Sequence, residues 1–213
     1  LAVRLENLPE SSRWYPGAGL YRNVHVIVTE NAYIPVWGTY ITTPTATKEF
    51  AKVNVQTKIV LPEGADASKY SVKTSVWNPN GQKLTEQTIP LSQIKYNDNS
   101  LSQEFIIQTP TLWSPDMPAL YSAETRLYEG DQLKDIYTTP FGIRSIEIIP
   151  NKGFFLNGEK TVFKGVCNHH DLGPLGAAVN DAAIRRQIRI LKDMGCNAIR
   201  TSHNMPAPEL VRA

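Results

Sequence analysis

The side chains able to do chemistry gather in one short run. It is Lys164-Gly-Val-Cys-Asn-His-His-Asp-Leu-Gly173, with a cysteine, two adjacent histidines and an aspartate. A second run, Asn197-Ala-Ile-Arg-Thr-Ser-His203, adds Arg200 and a third histidine, followed by Asn204. Four chemistries suit such a set: metal ligation, thiol chemistry, acid–base work by carboxylates, and hydrogen bonding in a ligand pocket.

Metal ligation and thiol chemistry are the two weaker of the four. Neighbouring strand residues point to opposite faces, so His169 and His170 do not readily serve one ion. No C-x-x-C or H-E-x-x-H accompanies them, and no metal or cofactor is expected. The two cysteines, Cys167 and Cys196, make no disulfide framework. Cys167 lies inside a strand rather than at a helix N-terminus, where a thiolate would be favoured. Both thiols are therefore expected to be small buried groups. Paired carboxylates for glycoside hydrolysis must stand about 5–5.5 Å or about 6.5–9.5 Å apart. Asp171 has no evident partner, since Glu159 falls in a hairpin and Glu209 in a final helix, and a turn or cap role for Asp171 stays open.

Position along the chain is more informative than residue type. Residues 162–168 read as a short strand. A helix follows, with Asn180 as N-cap and Asp181 in its first turn. Ile184, Ile188, Leu191 and Met194 recur at helical spacing, and Gly195 is placed to end the helix. Residues 197–203 read as the next strand. Strand, helix, strand is a βαβ unit, which implies a parallel sheet and a right-handed crossover. Alone it would leave strand edges open, so it is expected to be the first unit of a (β/α)8 barrel. Parallel α/β folds carry their sites at the C-terminal edge of the sheet. His169 and His203 would then share one rim, with Arg200 on a buried strand in need of a partner. Such a rim suits a polyhydroxylated ligand or a carboxylate network, although each histidine could also be a satisfied structural residue.

The first 149 residues read as strand and turn. Strand candidates fall at 24–29, 50–61, 71–77, 102–109 and 122–128. Turn signals separate them at Leu61-Pro-Glu-Gly64, Asn78-Pro-Asn-Gly81, Asn97-Asp-Asn-Ser100 and Glu129-Gly-Asp131. This spacing predicts an immunoglobulin-like β-sandwich over 44–141. Asn157-Gly158 between apolar flanks predicts a type I′ hairpin. Residues 1–43 are too few to bury a core and are expected to be the end of a preceding β domain. The remaining 142–213 would be the barrel's N-terminal part. Residues 1–7 read as mid-strand and 209–213 as the start of a helix, so a central fragment of a longer protein is expected.

Bulk properties narrow the function classes. Of 213 residues, 41% are apolar and 20% charged, as in globular proteins. The net charge is only +2, with scattered basic residues, so no nucleic-acid partner is expected. No apolar run approaches the roughly 18 residues of a membrane helix, so no membrane partner is expected. Incomplete domains would expose apolar surface, and association between copies is expected.

Taken together, these motifs resemble glycoside hydrolase family 2. Phe154-Phe-Leu-Asn-Gly-Glu-Lys-Thr-Val-Phe-Lys-Gly-Val-Cys-Asn-His-His-Asp171 and Gly195-Cys-Asn-Ala-Ile-Arg-Thr-Ser-His203 are similar to the start of its catalytic barrel. Ser12-Arg-Trp-Tyr-Pro-Gly-Ala-Gly-Leu-Tyr-Arg-Asn-Val24 is similar to the close of its jelly-roll domain. Leu112-Trp-Ser-Pro-Asp-Met-Pro-Ala-Leu-Tyr121 and Phe141-Gly-Ile-Arg-Ser145 are similar to late signatures of its immunoglobulin-like domain. The resemblance implies a retaining hydrolase of terminal β-linked sugars, with its acid/base and nucleophile glutamates on later barrel strands. It assigns His169 and His203 to the sugar site and Arg200 to the neighbourhood of the catalytic carboxylates. His170, Asp171 and Asn204 fall close by. The His-His-Asp-Leu-Gly form resembles the β-galactosidase branch of gut-type Bacteroidetes, and so a periplasmic or secreted protein. Other family activities such as β-glucuronidase, or a non-catalytic carbohydrate-binding or scaffold protein, remain open. Met205 stands where such enzymes often have proline.

Overall fold

The computed structural model describes residues 2–6, 8–10, 19–93 and 100–213. The loop at 11–18 and the expected turn at 97–100, apart from Ser100, lie outside the described residues. Two compact units emerge: Val28–Val162, and Leu1–Ile27 together with Phe163–Ala213.

The first unit is a two-sheet antiparallel sandwich. Its strands are β1 (Thr39–Ala46), β2 (Phe50–Lys58), β3 (Tyr70–Trp77), β4 (Lys83–Pro90), β5 (Ser100–Gln108), β6 (Tyr121–Glu129) and β7 (Gln132–Phe141). They form sheets of order β1-β2-β5 and β4-β3-β6-β7. Alternation makes the core. In β2, Ala51, Val53, Val55 and Thr57 are buried while the intervening residues are not. One apolar cluster gathers Val53, Val55, Val76, Phe105 and Ile107, and a second gathers Ile34, Val72, Leu101 and Leu127. Each such side chain, fully buried, contributes roughly 1.5–3 kcal/mol. At the start of β6 the Tyr121 hydroxyl accepts a hydrogen bond from the Thr111 N–H at 2.9 Å, which ties the segment ahead of β6 to the sandwich.

The sandwich begins earlier than its expected limit at 44. That limit falls inside β1, and Ala32 and Ile34 ahead of it are core residues. Threonines and Pro44 disguise β1. Its register shifts between Thr42 and Thr45, a bulge that accommodates the proline. The candidate strand at 24–29 is not a strand. Among the described residues it has no pairing, and Val26 and Val28 are 80% and 89% exposed. Residues 2–6 likewise have no strand partner among the described residues and are exposed. β-branched composition alone does not hold a strand without a partner edge.

The unit closes with a small sheet of β8 (Ile146–Ile149), β9 (Gly153–Leu156) and β10 (Glu159–Lys160). Asn157 and Gly158 have φ of 53° and 80°, which makes the predicted type I′ turn. Asn157 also joins this sheet to the sandwich. Its side chain accepts from Ser145 N–H and donates to the Trp113 carbonyl, both at 3.0 Å. The Arg144 guanidinium lies 4.9 Å from the Trp113 ring centre. By compactness, 146–160 group with the sandwich.

The second unit holds β11 (Gly165–Asn168), α1 (Asp181–Asp193), β12 (Ala198–Thr201) and α2 (Pro208–Arg212). β11 and β12 are parallel and paired from Gly165↔Ala198 to Asn168↔Thr201, so the βαβ reading holds. A Cβ on Gly165 would fall 2.1 Å from the Ala198 carbonyl oxygen, so the strands pair this closely only with glycine there. Asn180 caps α1 by accepting from Ala183 N–H at 2.9 Å. Ile184 is buried and Ile188 and Leu191 half-buried, but Met194 is 68% exposed at the C-cap.

Candidate functional site

The two parallel strands deliver their chemistry just past their C-terminal ends. Asn197 fixes their start: its N–H donates to the Lys164 carbonyl and its side-chain oxygen accepts from Lys164 N–H, each at 2.8 Å. Past the far end, Ser202 N–H donates to the Asn168 carbonyl at 2.8 Å. With both ends in register, His169 and His203 leave their strands side by side. Their ring centres lie 5.7 Å apart, nearly perpendicular at 83°. Both rings are exposed.

His170 takes different partners. Its Nδ1 lies 3.2 Å from the Asn204 amide nitrogen, and its ring centre 6.4 Å from that of Tyr21. Adjacent histidines therefore make separate contacts, and since β11 ends at Asn168 both lie past the strand rather than on its alternating faces. His170 and Asp171 are half-buried and, with Asn204, Asn168, Tyr21 and Arg22, border a cavity of about 180 Å³. The Asn168 side-chain nitrogen is buried without an acceptor among the described residues. His169 also borders this cavity, whereas His203 and Arg200 do not.

Two expectations are corrected here. Arg200 is exposed rather than buried, and its guanidinium meets the Cys167 sulfur at 3.7 Å. Cys167 is itself exposed and Cys196 half-buried, so they are not two buried thiols. Both corrections have one cause. Cys167 and Arg200 are register partners and share a face of a two-stranded sheet. The opposite face, with Val166 and Ile199, is the half-buried one. Among the described residues, no three histidine, cysteine, aspartate or glutamate side chains gather as metal ligands. No helix is long and apolar enough to cross a membrane. Sequence reasoning missed Tyr21 and Arg22, which reach the rim from far along the chain, and no local spacing signals that contact.

Chemically, the rim offers imidazole, guanidinium and amide groups that can donate to hydroxyls or to developing negative charge. A β-sandwich followed by a parallel βαβ unit with a polar C-terminal rim is the architecture of a modular α/β-barrel protein.

Comparison with known proteins specifies which one. The model of glycosyl hydrolases family 2 matches residues 33–144, and the model of that family's TIM barrel domain matches 147–212. The chain belongs to glycoside hydrolase family 2. It is 42% identical to beta-galactosidase BoGH2A of Bacteroides ovatus, over 99% of the chain and 25% of that protein. It is 29% identical to a beta-glucuronidase of Bacteroides fragilis, over 87% of the chain and 27% of that protein. The crystal structure of a family 2 member from Bacteroides cellulosilyticus superposes with a TM-score of 0.85 at 36% identity, covering 94% of this chain and 26% of that one. The chain thus spans about a quarter of the length of the relatives it matches.

Proposed function

We propose that this chain forms part of a retaining glycosidase that hydrolyses terminal β-linked sugars, with β-galactosides as substrates. The observation that carries this reading is the meeting of His169 and His203 just past the ends of adjacent parallel strands, with Arg200 on the second of those strands in register with Cys167. In the reaction, His203 and His169 would hydrogen-bond sugar hydroxyls more strongly as the ring flattens toward its oxocarbenium-like transition state. Arg200 would face the carboxylates that perform acid–base and nucleophilic steps. His170, Asp171 and Asn204 would support this wall. Those two glutamates are expected on later barrel strands, so this chain by itself is proposed to be inactive. Residues ahead of the sandwich are read as the end of the family's jelly-roll domain, and the intact protein as periplasmic or secreted. Self-association through exposed apolar surface is tested by light scattering, where a clean monomer would argue against it.

The relationship to a B. fragilis beta-glucuronidase supports a second reading, a β-glucuronidase. A panel of nitrophenyl glycosides on the full-length protein separates the two. Fastest turnover of the galactoside is expected, and preference for the glucuronide would replace the first reading with the second. No turnover of any member would leave a non-catalytic carbohydrate-binding protein. In the active enzyme, His203→Ala is expected to lower kcat about 10²–10³-fold, as for removal of one oriented donor. A matching loss of thermal stability would assign His203 a structural role instead.

A further inference from the structure

We infer that Arg22, stacked on Tyr21, is a positioning residue that clamps the rim loop carrying His203 and Asn204. This rests on the glycosidase reading for its catalytic consequence but not for its geometry. The Arg22 guanidinium donates through Nη2 to the Met205 carbonyl at 2.5 Å and through Nη1 to the Pro206 carbonyl at 3.3 Å. Its central carbon lies 5.4 Å from the Tyr21 ring centre, and the same ring approaches His170. His170 in turn meets Asn204. One step along, the Asn23 amide reaches Glu209 of α2 at 3.5 Å. Residues 21–23 therefore hold the 204–209 segment at three points, although over 180 positions separate them in sequence.

The chemistry of the clamp is specific. A guanidinium is a rigid planar fork of donors, which lets one side chain span two consecutive carbonyls. Lysine can satisfy either carbonyl but not both in that geometry. Because the acceptors are backbone groups, the clamp reads loop shape rather than loop sequence, so methionine at 205 is compatible with it. The loop starts directly at the end of β12, and His203 is its first exposed side chain. Fixing Met205 and Pro206 thus limits how far His203 and Asn204 can drift from His169 and His170.

The test uses Arg22→Gln and Arg22→Lys in two measurements. In this chain, amide exchange is followed at Ser202 and Leu210, whose hydrogen-bonded N–H groups flank the loop. Arg22→Gln should speed both while leaving β2 and β6 of the sandwich unchanged. Unchanged exchange at Ser202 and Leu210 would overturn the clamp, whatever the activity. In the full-length protein with nitrophenyl β-galactoside, Arg22→Gln should lower kcat about 10- to 100-fold, as a displacement of about 1 Å does. KM and the thermal midpoint should barely move, and Arg22→Lys should fall between wild type and glutamine. Wild-type kcat in Arg22→Gln would overturn the positioning role. So would a parallel loss of midpoint with no rescue by lysine. If the wild-type protein hydrolyses no glycoside, the glycosidase reading fails and the exchange result alone decides the clamp.

Discussion

The sandwich and the rim unit solve the folding problem in opposite ways. The sandwich buries two apolar clusters of its own, and nearly every fully buried side chain described belongs to it. In the rim unit only Ile184 and Ser202 are buried to that degree among the described residues. Conversely, the side chains suited to ligand chemistry sit almost entirely in the rim unit: His169, His203 and Arg200 are exposed, and His170 and Asp171 half-buried. A self-sufficient core uses alternation to hide its apolar groups. A site needs polar groups in the open, held by a few hydrogen bonds such as those of Asn197 and Arg22. Functional elements are commonly drawn from this less stable end of a structure.

The strongest test of that contrast deletes one buried side chain from each unit. Leu127→Ala removes a fully buried residue of the second cluster and should cost about 2–5 kcal/mol in denaturant unfolding of the sandwich. Ile184→Ala removes a similar volume from α1 but should leave the sandwich transition in place, speeding amide exchange only in α1, β11 and β12. If both substitutions lower one shared transition equally, the units are not energetically separate and the contrast fails.

The same contrast explains what could be read in the sequence. β2, β3, β5 and β6 were legible because their inner positions recur every second residue and are mostly apolar, and burial follows that period. β4 and β7 were not, because they form the outer edges of their sheet and mix exposed with half-buried residues without a clean alternation. β1 was hidden by its threonines and the bulge at Pro44. The valines at 24–28 carry the composition of a strand but have no described partner edge, so composition misled. At the rim, helical period and capping residues fixed α1, and parallel pairing then fixed where His169 and His203 emerge. Arg200 and Cys167 were misjudged because burial of a strand face depends on what covers it, which two strands cannot reveal. Tyr21 and Arg22 were invisible because their contacts are purely long-range.

A smaller substitution sharpens the account of the sandwich core. Between its apolar clusters runs a buried polar layer, where Thr74 donates to the Gln103 side-chain oxygen at 2.6 Å and Gln103 donates to the Gln87 carbonyl at 3.0 Å. Thr57 is also fully buried, yet its hydroxyl has no partner among the described residues. A buried hydroxyl without a partner costs roughly 1–3 kcal/mol. Thr57→Val keeps the shape and removes that cost, so unfolding should require about 1 kcal/mol more, read as a higher denaturant midpoint at constant slope. Destabilisation instead would mean that Thr57 has a partner, such as a bound water, within this layer.

The smallest expected effect belongs to the sandwich surface, where charge rather than burial is at work. Glu86 on the edge strand β4 lies 2.8 Å from the Lys83 ammonium and 3.0 Å from that of Lys73. Hydrogen bonds from Lys83 first and Lys73 next pull its carboxyl from 4.5 to about 2. A depressed carboxylate stabilises the fold fully above its unfolded value and loses that contribution as pH falls through its folded value. The window is therefore about 4.5 down to about 2. Over it, wild-type stability should fall more steeply than that of Glu86→Gln, so wild type is the more stable by a small margin at neutral pH and the two converge near pH 2. Because the carboxyl is 36% exposed, solvent screens the pair and the effect stays small. Raising salt toward 1 M, where the Debye length is about 3 Å, should bring the two acid limbs together. Acid limbs that are parallel already at low salt would show that β4 owes its place to backbone pairing alone.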